Sequence, residues 1–228
     1  MGEHGTAIRV DVHTHTAASY DSEAAPAALL RAAERAGVDG VAVTDHDTVR
    51  GARIAADLAA DYEPFVVVGC EVSTADGHLL ALGVDGAPEP GRPLAATARS
   101  VREAGGVAVV PHPFQRSRHG AAASAIAAVD GIEVYNAHAL TGIRNGQARR
   151  FAASEGYPAF GGSDAHRPGA VGRAATRVGL PAGADPAPGV AVEAMRAGRT
   201  AAVGRRVPAR AVLDRVVATA RLRTPSLR

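Results

Sequence analysis

Short, strongly apolar runs alternate along the chain with longer stretches whose apolar positions recur every three or four residues, and several of the short runs end in a histidine or an acid. Val10-Asp11-Val12 leads into His13-Thr14-His15, Val41-Ala42-Val43 into Thr44-Asp45-His46, and Phe65-Val66-Val67-Val68 into Cys70-Glu71. Val107-Ala108-Val109-Val110 leads into Pro111-His112-Pro113, and Tyr157-Pro158-Ala159-Phe160 into Ser163-Asp164-Ala165-His166. Runs of this length read as buried strands. Alternation in the first puts Asp11, His13 and His15 on one face.

The longer stretches read as helices: one from about residue 23, with Ser22 as candidate cap and Gly37 as its stop, then 50–60, 94–104, 140–154 and 190–197. Strands are expected over 38–44, 64–71, 78–84, 107–110, 132–135, 158–160, from 176 and over 200–203, the fourth strand of the chain, 78–84, returning after the turn Ala75-Asp76-Gly77. This β-α-β order predicts right-handed crossovers, a parallel sheet, and a ligand site at the C-terminal strand ends.

A chain of 228 residues suits one well-buried domain. Residues 1–204 form it, and 205–228, with seven arginines against Asp214, read as a basic helix or tail packed on it or trailing from it. The net charge of +2 is small and spread, which gives no case for a nucleic-acid surface. All 25 basic residues are arginine. That excludes a phosphate-loop lysine, a Schiff-base lysine and a carbamylated lysine between metals, so any bridge must be a carboxylate. The single cysteine, Cys70, permits no internal disulfide. There is no basic leader, and no apolar run nears the ~18 residues of a membrane span, so a cytoplasmic protein without a membrane partner is expected.

Of the 9 histidines, six (His13, His15, His46, His78, His112 and His166) fall at strand ends, while His4, His119 and His138 do not. Gathering six imidazoles with Glu71 and Asp164 in one interior is costly without a cation. Nitrogen and oxygen donors without a thiolate cluster suit zinc, manganese or iron, and the donors exceed what one ion takes. Asp21 and Asp47 read equally as turn acids or as ligands. The loop 114–119, with Arg116, Arg118 and His119, is either a solvated surface or an anion-binding segment. Gly161-Gly162-Ser163-Asp164-Ala165 approaches a nucleophile elbow but ends in alanine, with no clean helix after it, so a serine hydrolase is the weaker reading.

From Val10 to His166 the motifs His13-Thr14-His15, Thr44-Asp45-His46, Glu71 followed by His78, Pro111-His112-Pro113 and Gly162-Ser163-Asp164-Ala165-His166, in this order, resemble the PHP (polymerase and histidinol phosphatase) domain hydrolases. The resemblance implies a single-domain distorted (β/α)7 barrel with two or three divalent metal ions at the C-terminal strand ends. Position by position, it implies one metal on His13, His15, Glu71 and Asp164, a second on Asp21, His46 and His166, and a third on Glu71, His78 and His112. Glu71 would be the bridge, and Asp21 moves from turn acid to ligand.

The implied activity is a phosphoesterase acting on small phosphate monoesters or diesters through a metal-bound hydroxide, with Glu71 and Asp164 at the reacting centre. Arg116, Arg118, His119 and Asn136 would contact a small phosphorylated substrate, and His119 or His138 would protonate the leaving group. The long helical insertion of the larger PHP nucleotide phosphatases is missing, since only residues 85–106 separate the Glu71/His78 region from His112. The alternatives are a metal-dependent carbamate, ester or amide hydrolase and a non-catalytic PHP module.

Overall fold

The structure, a computed structural model, describes residues 5–139 and 142–204. Its strands are β1 Ala7–Thr14, β2 Gly40–Val43, β3 Phe65–Thr74, β4 Gly77–Leu82, β5 Val107–Val110, β6 Gly131–Asn136, β7 Ala159–Gly162, β8 Ala174–Gly179 and β9 Thr200–Gly204. The helices are α1 Pro26–Ala36, α2 Arg50–Leu58, α3 Leu94–Glu103, α4 Gly142–Glu155 and α5 Pro188–Arg196. The arginine-rich tail lies outside the described residues.

All nine strands join one sheet in the order β7-β6-β5-β4-β3-β2-β1-β8-β9. β1, β2 and β3 run parallel, as do β5, β6 and β7. β4 returns antiparallel to β3 after the expected turn and is antiparallel to β5 as well, while the expectation of a parallel sheet is corrected at β8, antiparallel to β1, and at β9, antiparallel to β8. Ala75-Asp76 between β3 and β4 can turn the chain back but cannot carry a crossover. The return is useful, since it brings the N-terminal end of β4, with His78, to the rim where the parallel strands end.

α1 starts three residues later than the pattern suggests, and Ser22 does not cap it. Pro26 at the first turn sets the start, preceded by Ala25 in an extended conformation. The Ser22 hydroxyl lies instead 3.1 Å from the carbonyl of His15 and 3.2 Å from that of His166. Gly37 ends the helix in the left-handed conformation (φ 63°), as its position predicts.

The sheet curls until β7 meets β1 and β8, but the two sides are not joined by a ladder. The Thr176 hydroxyl donates to the Gly161 carbonyl and accepts from its N–H, each at 3.0 Å. The buried Asp11 carboxylate accepts from the N–H groups of Ser163 (2.9 Å) and Gly172 (2.8 Å). Above these, His15 N–H donates to the Ala165 carbonyl at 2.9 Å. Gly161 permits the approach, since a Cβ there would stand 2.7 Å from the Ala175 carbonyl oxygen. The result is a mixed α/β, nearly closed barrel.

Its interior holds Ile8, Val10, Val12, Leu80, Val107, Val109 and Phe160, and Ala191, Ala194 and Met195 of α5 join the same cluster and plug the end away from the histidines. Outside, α3 and α4 cover β4 to β6, while α1 and α2 cover β2 and its neighbours. Phe160 is fully buried, and Gly131 leaves room for its ring, because a Cβ there would come within 2.3 Å of it. Phe160→Ala should therefore lower unfolding free energy by about 3–5 kcal/mol, the usual cost of emptying a buried aromatic site, read as a fall in urea midpoint at unchanged slope.

Candidate metal centre

Glu71, on the part of β3 that outruns β2, sits at the centre of the site. Its place is fixed by backbone pairing beyond the regular ladder: Glu71 N–H donates to the Asp45 carbonyl (3.1 Å), and Asp47 N–H to the Glu71 carbonyl (3.0 Å). The carboxylate is buried and meets five imidazoles. One oxygen lies 3.1 Å from His13 Nε2, 3.3 Å from His15 Nε2 and 3.7 Å from His46 Nε2, and the other lies 2.9 Å from His78 Nδ1 and 3.0 Å from His112 Nε2.

Asp164 faces it across the cavity, 3.7 Å from His13 Nε2, 3.6 Å from His15 Nε2 and 3.4 Å from His166 Nδ1. Asp21 closes the outer side, 2.8 Å from His166 Nε2 and 3.3 Å from His46 Nε2. Asp47 stays outside this set and instead accepts from the Ser73 N–H at 2.7 Å.

Triplets of donor atoms within 4.8 Å of one another are His13-His15-Glu71, His15-Asp164-His166, His15-Asp21-His46, His46-Glu71-His78 and His13-His112-Asp164. Together they contain all nine residues that the family resemblance implies as ligands. The donor set also fits a cation by what it leaves unsatisfied. His15 Nε2 and Asp164 Oδ1 are buried without hydrogen-bond partners, and so are Nδ1 of His46 and His112. Such orphaned groups are rare in a folded interior, and a divalent ion in the centre would supply the missing partner of His15 Nε2 and Asp164 Oδ1, while His46 and His112 turn Nε2, not the orphaned Nδ1, toward the central carboxylates.

Electrostatics point the same way. Burial pushes the Glu71 and Asp164 carboxyls up, but the imidazoles around them, His13 foremost, outweigh it and hold both well below the usual carboxylate range. Burial pushes His13 down, yet the carboxylates of Asp164, Glu71 and Glu133 carry it well above an ordinary imidazole. His15 goes the other way, lowered to about 4 by burial. Both central carboxyls are thus kept ionised, the state in which a carboxylate can ligate a cation.

Two residues of the site escape sequence reasoning. Glu133, fully buried on β6, accepts from His13 Nδ1 at 3.1 Å, from the His112 N–H at 2.8 Å and from the Asn136 amide at 2.9 Å. It orients the His13 imidazole and pins the backbone of His112 without lining the cavity, and its signal was a lone acid inside the apolar run Gly131-Ile132-Glu133-Val134. Tyr20, 80% exposed, stacks on His46 with ring centroids 4.7 Å apart, and nothing in the sequence marked it.

The remaining expected residues separate. Arg118 reaches into the site, its guanidinium on the Asp164 carboxylate and 3.4 Å from Asn136 Oδ1. Asn136, expected to touch substrate, is buried, and its amide donates to Glu133 and Asp164, so it positions those carboxylates. His119 and His138, which do not end strands, both reach the rim. The His138 Nδ1 lies 3.2 Å from the Asp164 carbonyl, and the His119 ring is 5.2 Å from His78. Arg116 lines a neighbouring depression instead. Ser163 is buried with its hydroxyl toward the His13 carbonyl, so it is no nucleophile.

His112, Phe114, His119 and Asp164 have positive φ (30°, 67°, 51° and 53°), a conformation that non-glycine residues hold only under tertiary constraint and that clusters at functional sites. His112, His119 and Asp164 line a cavity of about 290 Å³.

Fold and site together define a mixed α/β barrel whose strand ends converge on a candidate metal centre. A family model for the PHP domain matches residues 11–144, and one described as PHP-associated matches 142–200. The chain belongs to the PHP-domain family. An uncharacterized protein of Methanocaldococcus jannaschii is 30% identical over 149 residues, 60% of this chain and 87% of that protein. A phosphoribosyl 1,2-cyclic phosphate 1,2-diphosphodiesterase of Eggerthella lenta is 40% identical over 85 residues, 34% of this chain and 32% of that enzyme. The fold is similar to a two-domain protein of Bacteroides vulgatus containing a predicted PHP-like metal-dependent phosphoesterase, with a TM-score of 0.70 and 21% identity, covering 89% of this chain and 66% of that one. No helix among the described residues is long and apolar enough to cross a membrane.

Two outcomes follow for metal binding. Glu133→Gln keeps the side-chain shape but sets an amide donor either against the His13 Nδ1–H or against the His112 N–H and Asn136 amide together, and should weaken zinc or manganese binding roughly 10–100-fold, read by competitive chelator titration. Glu71→Ala should lower the metal content of chelator-free protein more than any other single replacement, and elemental analysis showing wild-type content in that variant would remove Glu71 from the centre.

Proposed function

We propose that the protein is a metal-dependent hydrolase of small phosphate esters, monoesters or diesters. The observation that carries the reading is the placing of one guanidinium, that of Arg118, on Asp164 at the edge of a cavity lined chiefly by imidazoles and carboxylates. Arginine presents a planar fork of donors that matches phosphate oxygens and keeps its charge at any working pH. Similarity to the Eggerthella lenta diphosphodiesterase supports the same substrate chemistry.

Zinc, manganese or iron ions bound here would acidify a water molecule to a pKa of roughly 7 and offset the charge on the phosphoryl oxygens. Two or three ions would be held by His13, His15, Glu71 and Asp164, by Asp21, His46 and His166, and by Glu71, His78 and His112, with Glu71 shared because its two oxygens face different imidazoles. Glu133 and Asn136 keep the ligands oriented. Arg118 donates to a non-bridging oxygen as charge develops there. His119 and His138 line the cavity outside the donor triplets, so either imidazole is available to protonate the departing alkoxide.

A panel of aryl phosphates, sugar phosphates, cyclic phosphodiesters, carbamates and aryl esters, each assayed with Mn²⁺ or Zn²⁺, tests the reading. Phosphate release is expected, and turnover confined to carbamates or carboxylic esters would overturn it. Arg118→Ala should lower kcat/KM on the best phosphate substrate roughly tenfold to a thousandfold, the scale of removing one positioned donor. An unchanged value would assign phosphate binding to the metals alone.

A further inference from the structure

A second depression, of about 360 Å³, adjoins the metal cavity and shares Tyr20, His78 and His119 with it. Its own walls are the β3–β4 turn around Asp76 and the loop bearing Arg116. These walls are fixed against each other. His78 N–H donates to the His119 carbonyl at 2.9 Å, and Gly77 lies so close that a Cβ would stand 2.7 Å from that oxygen. Phe114 N–H donates to the Ala121 carbonyl at 3.0 Å and closes the loop at its base.

The two arginines of the loop differ in what they face. The arginine ion pairs among the described residues are Arg102–Asp130, Arg118–Asp164 and Arg196–Glu193, so Arg118 is paired inside the metal cavity while Arg116 has no carboxylate partner. The one acid lining the second depression, Asp76, points an oxygen at the Leu94 N–H, 2.9 Å away. The depression therefore offers a cation, two imidazole edges and an exposed aromatic ring, immediately beside the place where a phosphate ester would be cleaved.

We propose that this depression is a subsite for a second anionic group, phosphate or carboxylate, carried by the leaving-group part of the substrate, with Arg116 as its cation and Tyr20 as the wall shared with the metal cavity. The inference rests on the phosphoesterase reading for the chemistry next door, and it narrows the substrate class to small esters with two anionic ends. Arg118 and Arg116 thus have separate tasks, one at the reacting phosphoryl group and one at the far end of the molecule.

Paired probes test it on the full metal-loaded chain. Calorimetry should show propane-1,3-diphosphonate binding roughly tenfold more tightly than propylphosphonate, and Arg116→Ala should abolish that preference while Arg116→Lys keeps part of it. In turnover, glycerol 1,3-bisphosphate and 3-phosphoglycerate should each exceed glycerol 1-phosphate in kcat/KM. The ratio between the first two tells a phosphate from a carboxylate preference, and Arg116→Ala should erase both advantages through KM with little change in kcat. Equal affinity for the two phosphonates, or a preference that survives Arg116→Ala, overturns the subsite. A diphosphonate preference that depends on Arg116, without phosphate release from any ester, would instead overturn the hydrolytic reading and leave the subsite standing.

Discussion

The structure depends on a single buried carboxylate. Glu71 sits among five imidazoles that arrive from β1, the β2 end, β4 and the β5 end, and its two oxygens divide them. Neither partner is tolerable alone: an unpaired carboxylate or a packed group of imidazoles inside a protein would cost several kcal/mol. Together they fix how far each strand may extend and where the barrel mouth must lie. The irregular backbone around them follows from this, since His112 and Asp164 adopt left-handed conformations to turn their side chains inward at the point where the strands have already ended.

Much of this was legible from residue order. A strand buried on both faces must be apolar throughout, so the place where it turns to His-x-His or Asp-His marks its exit from the core. That rule singled out His13, His15, His46, Glu71, His112, Asp164 and His166. Asp21, in contrast, lies in a connection whose shape no local pattern specifies, and only the family resemblance broke the tie. Glu133 was hidden because one acid in an apolar strand looks like an outward-facing position, and its inward direction is set by the tertiary demand of three donors, the His13 imidazole, the His112 N–H and the Asn136 amide. Tyr20 was hidden because an exposed aromatic leaves no periodic trace.

Strand direction was legible only at β4, where the turn Ala75-Asp76-Gly77 announces the return. Periodicity reports that a segment is a buried strand but is silent on which way it runs, so β8 and β9 read like further members of a parallel series. Their reversal follows from the route of the chain, which leaves the rim at His166, descends beside β1, and sends α5 across the lower opening before β9 climbs back. The loop that separates Arg116 from Arg118 poses the same kind of problem at smaller scale, because two arginines two residues apart diverge only once a short 3-10 turn over Arg116–Arg118 is formed.

The barrel seam between β1 and the chain beyond β7 lacks a continuous ladder and is held by Thr176, Asp11 and a few backbone contacts near Ala165. The donors on its two sides are His13 and His15 on one, Asp164 and His166 on the other. An ion bound among them would act as a clasp across the least zippered line of the sheet, and by mass action the closed barrel would gain stability with every increase in free ion concentration. The same residues that organise chemistry would then decide whether the barrel breathes. Hydrogen exchange at the Gly161–Ala165 amides becomes, in that light, a direct gauge of how firmly the cylinder is shut.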